Sequence, residues 1–152
     1  MNLLTDGIKS KAVMLTQGTK KLSIDNHTQV YPVYKIRLDQ LYFNDQNDRI
    51  ATWISQYKTE HADIALESLG HPEYNDIIQG FIVESNPDAI KKTQNNIELI
   101  GQQEAGVVLT DGRIIDGNRR FTCLRNIEKK SGKTQYFEAV ILDHDIRNNA
   151  KQ

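Results

Sequence analysis

The stretch from residue 107 to residue 127 constrains the fold most, because it combines two strands, a tight turn and the start of a helix. Residues 107–109 are apolar and mostly β-branched, which predicts a buried strand. Asp111-Gly112 predicts a type I′ hairpin turn, since that turn needs a positive φ at both central positions. Ile114 and Ile115 form a short return strand. A helical pattern then follows from Asn118, carried by Phe121, Leu124 and Ile127.

The start of this helix carries two arginines where acidic residues are usual. Arg119 and Arg120 lie in the first turn, where the helix dipole opposes each cation by about 0.3–1 kcal/mol. After Gly117, however, the backbone amides, the dipole and the guanidinium donors can converge on a phosphate. In the alternative interpretation Asp116 pairs with one arginine and the other is solvated. The residues themselves leave both interpretations open.

The residues at this helix start also carry a family resemblance. Gly117-Asn118-Arg119-Arg120, after a hairpin and before a helix, resembles the phosphate-binding Gly-x-Arg-Arg box of the ParB N-terminal domain and sulfiredoxin-like superfamily. The resemblance includes an upstream helix ending at Gly101. It also includes residues 34–49, which are similar to the opening strand, the following loop and the arginine of the family. It spans roughly residues 30–145 and implies a single α+β domain with a small mixed β-sheet and about four helices.

The resemblance implies a ligand and a set of contacts. The ligand would be a nucleoside triphosphate, with or without Mg²⁺, bound in a switch or a CTPase-like NTPase of a bacterial DNA-maintenance or defence protein. Glu104-Ala105 stands where the family tends to have Gln-Pro, and Asn118 stands where ParB proteins commonly have Glu. The implied phosphate-binding residues are Asp116, Gly117, Asn118, Arg119 and Arg120, with Arg49 as a second contact. No catalytic residue is assigned.

Two other functions use the same residues. The arginines also suit a DNA-binding module that contacts backbone phosphates, helped by the lysines of a basic N-terminal arm. The net charge of the chain is −1, which gives no global attraction to DNA. Residues 111–133, however, hold seven Lys/Arg and three acidic residues, a local charge of +4. A non-catalytic protein-interaction domain is the third possibility.

Several classes of chemistry find little support in the sequence. One cysteine excludes an intramolecular disulfide and fits a reducing, cytosolic location. Sulfiredoxin places its cysteine where Asn118 stands, so Cys123 is predicted to be a buried thiol instead. The four histidines are dispersed, and no metal site is predicted. No apolar run approaches the length of a membrane span, so no membrane partner is expected.

The remaining pattern predicts one domain. Residues 1–21 are interpreted as a loose arm, residues 22–145 as the domain, and residues 146–152 as the start of a C-terminal helix, either of a longer protein or of a stand-alone domain. Asp48 is the predicted cap of a helix that runs to about Lys58. Residues 59–70 are expected to continue helically and to end at Gly70. Ser85-Asn86-Pro87-Asp88 predicts the start of another helix. Strand patterns cover residues 22–38, where Pro32 indicates an edge or a bulge, and residues 136–142.

Overall fold

The computed structural model describes residues 2–24, 26–44, 51–60 and 71–143 of the chain. Within them, five strands form one mixed sheet with four α-helices, which confirms the α+β class. A π-helical turn at Leu3–Gly7 and a 3₁₀ turn at Leu38–Gln40 accompany them. The main elements are β1 (Val13–Ile24), β2 (His27–Arg37), α1 (Ala51–Glu60), α2 (His71–Ser85), α3 (Pro87–Ile100), β3 (Gly106–Leu109), β4 (Ile114–Asp116), α4 (Asn118–Ser131) and β5 (Tyr136–Leu142).

The strand order of the sheet is β1-β2-β5-β3-β4. Strands β3 and β5 are parallel, with Val107 opposite Val140, and the other neighbouring pairs are antiparallel. Parallel neighbours need a long crossover connection, and here β4 and α4 supply it. The helix that begins with the two arginines is therefore part of the crossover that connects the neighbouring parallel strands β3 and β5.

The two faces of the sheet bury different clusters, because successive residues of a strand point to opposite sides. Val108, Phe137 and Ile141 face the helices and pack with residues such as Ile78 and Phe121. The opposite face carries Val33, Val107, Leu109, Val140 and Leu142. Leu22, Ile24 and Tyr31, which lie in the outer half of the β1–β2 hairpin, pack against this second cluster.

A bulge allows the β1–β2 hairpin to reach that second face. The register of β1 against β2 shifts between Leu15 and Thr19, and Pro32 lies directly opposite Thr19. The Thr16 hydroxyl donates to the carbonyl oxygen of Val33 at 2.7 Å and accepts from the N–H of Gly18 at 3.0 Å. Of the two expectations for Pro32, the bulge is therefore observed. A bulge bends and twists its strand, which directs the outer hairpin across the sheet.

The N-terminal segment is part of the domain, so the expectation of a loose arm over residues 1–21 is wrong. Strand β1 crosses the expected boundary at residue 21, and the side chains of Leu3 and Val13 are 1% and 2% exposed. The N–H of Leu3 also donates to the carbonyl oxygen of Thr110 at 2.7 Å. The few apolar residues of this polar segment are the ones that join the core.

The hairpin between β3 and β4 forms as predicted, but its turn is not type I′. Gly112 has a φ of +97°, whereas Asp111 keeps a negative φ. The N–H of Leu109 donates to the carbonyl oxygen of Arg113 at 2.8 Å, which closes a three-residue loop. The Asp111 carboxylate accepts from the N–H of Arg113 at 3.0 Å. This side-chain bond supports the observed loop conformation.

Several predicted boundaries are confirmed. The side chain of Asn86 caps α3 by accepting from the N–H of Ala89 at 3.1 Å, and Gly101 ends that helix. Gly132 ends α4 in the left-handed conformation. The expected cap at Asp48, the continuation through residues 61–70 and the helix from residue 146 lie outside the described residues. No helix among the described residues combines the length and apolar character needed to cross a membrane.

Candidate anion-binding cleft

A cleft of about 860 Å³ opens at the start of α4. One wall is a polar face of α3, which contributes Lys92, Thr93 and Asn96 at positions three and four residues apart. The opposite wall is the box predicted from the sequence. The structure brings five of the six predicted site residues together along this wall: Asp116, Gly117, Asn118, Arg119 and Arg120.

Gly117 sets the geometry of the cleft floor. Its φ is +121°, and a Cβ at this position would lie 2.6 Å from Cζ of Phe137. Only glycine allows both this backbone conformation and this close approach to a buried ring. Gly117 also has no side chain with which to cap α4. The first intrahelical bond runs from the N–H of Phe121 to Gly117, so the amides of the three preceding residues have no acceptor within the helix.

Asn118 fastens the box to a neighbouring loop. Its side-chain Nδ2 donates to the carbonyl oxygen of Asn44 at 3.2 Å, and its Oδ1 accepts from the N–H of Asn44 at 3.4 Å. The amide group is thereby used in a structural bridge between α4 and residues 41–44. Asn118 lines the cleft, its backbone N–H has no acceptor within the helix, and its side chain positions the helix start.

Within the described part of the chain, Arg119 is the unpaired cation at the start of α4. Among the described residues its guanidinium group has no hydrogen-bond or ion-pair partner. It lies one turn before Cys123, and its positive charge slightly favours the thiolate there. Burial outweighs this effect and raises the pKa of the Cys123 thiol to about 11. Cys123 is therefore protonated near neutral pH, in agreement with the predicted buried thiol.

Arg120 is held by two carboxylates. Its Nη2 lies 3.4 Å from Oδ2 of Asp116, and its Nη1 lies 3.7 Å from Oε2 of Glu104. Its Nε is buried and has no hydrogen-bond partner among the described residues. The alternative considered from the sequence, in which Asp116 pairs with one arginine, therefore occurs at Arg120. Arg119 is not paired in this way, and it is half-buried in the cleft wall.

Lys20 adjoins the cleft by contacting Glu104 and Ala105, and this contact was not predicted from the sequence. Its Nζ donates to the carbonyl oxygen of Ala105 at 2.6 Å and lies 3.4 Å from Oε1 of Glu104. The Lys20 side chain is 18% exposed, so it is not one of the solvated lysines that a basic arm would carry. The outer β1–β2 hairpin brings it here by packing across the second face of the sheet. Nothing in the local sequence predicts that fold-back.

The cleft can hold an anion by charge and by hydrogen bonds. It offers the free guanidinium of Arg119, Lys92 on the opposite wall, and the open amides at the start of α4. Asp116 and Glu104 are the carboxylates that line it, and Mg²⁺ typically binds one or two carboxylates together with the phosphates of a ligand. No group of three or more His, Cys, Asp or Glu side chains suitable for a metal ion occurs in the described part of the chain.

The last predicted site residue, Arg49, lies outside the described residues. Comparisons of the chain with protein-family profiles, with curated proteins and with solved structures found no match. Function is therefore inferred from the geometry of the cleft together with the resemblance in the sequence.

Proposed function

We propose that this chain is a ParB/sulfiredoxin-like domain that binds the phosphates of a nucleoside triphosphate in the cleft at the start of α4. One observation carries the proposal. Arg119 has no partner among the described residues, and it lies beside uncapped amides at a helix start. A cation in the first turn is unfavourable for the helix itself, and a bound anion would remove that conflict.

The shape of the cleft favours a small ligand over a polymer. Its volume of about 860 Å³ falls in the range of ligand-binding clefts. Two walls enclose it, whereas a nucleic-acid backbone needs an extended basic track. The polar α3 wall, with Thr93 and Asn96, supplies hydrogen-bonding groups for the sugar or base of a nucleotide. In this proposal the bound nucleotide acts as a switch or is hydrolysed within a DNA-maintenance or defence protein.

The two arginines have different parts in this proposal. Arg119 binds phosphate directly, and removing it leaves no carboxylate without a partner among the described residues. Arg120 binds phosphate after it exchanges one of its carboxylate partners, and Asp116 orients its guanidinium group. Gly117 lets the phosphate approach the backbone amides, because no Cβ covers them.

A thermal-shift panel tests the proposal. ATP, GTP, CTP and UTP with Mg²⁺ would be added to the wild-type chain, to Arg119→Ala and to Lys129→Ala. Lys129 is exposed near the far end of the same helix, so its substitution removes an equal charge outside the cleft. At 100 times the dissociation constant we expect a rise in melting temperature of about 5–10 °C for the preferred nucleotide.

The nucleotide-induced rise in melting temperature should persist in Lys129→Ala and disappear in Arg119→Ala. An equal rise in all three proteins would contradict the proposal, and so would the absence of a rise with every nucleotide.

A duplex oligonucleotide is the last ligand tested in the panel. Salt-sensitive stabilisation by that oligonucleotide alone, lost in Arg119→Ala, would assign the arginines to DNA backbone phosphates instead.

A further inference from the structure

Glu104 stands between two cations that belong to different parts of the fold. Its Oε2 lies 3.7 Å from Nη1 of Arg120 in the cleft, and its Oε1 lies 3.4 Å from Nζ of Lys20 on the β1–β2 hairpin. The Glu104 side chain is 70% exposed, whereas those of Lys20 and Arg120 are 18% and 20% exposed. The carboxylate is thus the solvent-exposed partner of two largely buried cations.

We propose that Glu104 is an exchangeable counter-anion, which bridges Arg120 and Lys20 in the free protein and stays with Lys20 alone when a ligand phosphate takes its place on Arg120. This inference rests on the proposed nucleotide site and describes how that site is regulated. A phosphate that reaches Arg120 must take the place of the Glu104 carboxylate, because both are anions that use the same guanidinium donors.

Lys20 makes the exchange favourable. It is anchored independently of Glu104, since its Nζ donates to the carbonyl oxygen of Ala105 at 2.6 Å. A carboxylate displaced from Arg120 therefore keeps a cation within reach and does not remain unpaired beside an incoming phosphate. Without Lys20, Glu104 would depend on Arg120 alone and would compete more strongly with the ligand.

The exchange couples the hairpin to the cleft. Lys20 belongs to the outer half of the β1–β2 hairpin, which packs on the face of the sheet away from the helices. Movement of that hairpin would change how well Lys20 receives Glu104, and hence the affinity of the cleft. In this proposal Lys20 tunes the affinity of the cleft through Glu104, which lies 84 residues away in sequence.

A double-mutant cycle measured by isothermal titration calorimetry tests the exchange. The probe is the nucleoside triphosphate that gives the largest thermal shift, titrated into Glu104→Gln, Lys20→Met and the double variant. Loss of the ion pair between Arg120 and the exposed carboxylate of Glu104 should change the dissociation constant of the nucleotide by about two- to fivefold. Glu104→Gln should bind more tightly by this factor, and Lys20→Met more weakly. The double variant should match Glu104→Gln, because Lys20 acts only through the carboxylate.

Two controls separate the exchange from general charge effects. Glu98→Gln removes a carboxylate that pairs with Lys130 outside the cleft, and Lys21→Met removes the exposed neighbour of Lys20. Neither should change the affinity by more than the experimental error. An unchanged or weaker affinity in Glu104→Gln would overturn the exchange, and so would additive effects in the double variant. Wild-type binding that is lost in Arg119→Ala would still support the nucleotide site in that case.

Discussion

The side-chain amide of Asn118 pairs with the backbone of Asn44, donating to its carbonyl oxygen at 3.2 Å and accepting from its N–H at 3.4 Å. This pairing joins the start of α4 to the loop that follows β2. The same loop is held by α2, because Asn75 donates to the carbonyl oxygen of Leu41 and accepts from the N–H of Phe43, each at 3.0 Å. Amide side chains therefore fasten the loop of residues 41–44 to α2 and to the start of α4.

Removing the Asn118 amide should loosen this junction. Asn118→Ala deletes one donor and one acceptor, and both bonds are long and partly exposed. We expect the free energy of unfolding to fall by about 1 kcal/mol. Urea denaturation followed by circular dichroism measures the change. A loss of more than about 3 kcal/mol would show that the side chain has a larger structural role than these two bonds provide.

Asn75→Ala should cost considerably more. The side chain of Asn75 is 4% exposed, and its loss leaves the N–H of Phe43 and the carbonyl oxygen of Leu41 buried without partners. Each unsatisfied group costs about 1–3 kcal/mol, so we expect the two groups together to lower the free energy of unfolding by about 2–6 kcal/mol. Asn95→Ala, on the exposed face of α3, is the matched control and should change stability by less than about 0.5 kcal/mol. Equal effects of the two substitutions would contradict the assigned role.

Local chemistry made much of the fold predictable. The boundaries of α3 follow from the Asn86 cap and from Gly101, and α4 ends at Gly132, where a residue without Cβ adopts the left-handed conformation. The same signals were ambiguous at Asp111-Gly112. That dipeptide suits both a type I′ turn and a three-residue loop ending in glycine, and the Asp111 side chain favours the latter.

Long-range contacts limited the prediction of the site. The walls formed by residues 116–120 could be anticipated, because strand, glycine and helix follow one another in sequence. Lys20 could not be anticipated, since its approach to Glu104 depends on a bulge in β1 and on the packing of a hairpin across the sheet. The roles of Asn75 and Asn118 as loop fasteners depend in the same way on partners more than thirty residues distant.

Two glycines provide a paired test of backbone and packing effects. Gly117→Ala places a Cβ 2.6 Å from a buried Phe137 carbon at a φ of +121°, so strain and overpacking should together cost about 2–4 kcal/mol. Gly80→Ala lies in the exposed interior of α2 with nothing within 4 Å, and should stabilise the fold by about 0.5–1 kcal/mol. Opposite signs in urea denaturation are expected, and destabilisation by Gly80→Ala would contradict the account.

The reactivity of Cys123 separates a structural thiol from a catalytic one. The side chain is buried, its Sγ donates to the carbonyl oxygen of Ile90 at 3.4 Å, and burial raises its pKa from 9.0 to about 11. A raised pKa favours the protonated form, so the folded protein should hold about 100-fold less thiolate at pH 8 than the unfolded chain.

Iodoacetamide labelling followed by mass spectrometry measures this difference. The folded protein should be labelled at least 100-fold more slowly than the urea-unfolded protein at pH 8, and its rate should rise with pH up to about 11. Cys123→Ser provides the unlabelled control. Rapid labelling of the folded protein that is already maximal near pH 7 would mean an exposed thiolate next to Arg119. That result would favour a reactive, sulfiredoxin-like thiol at Cys123 over a structural one.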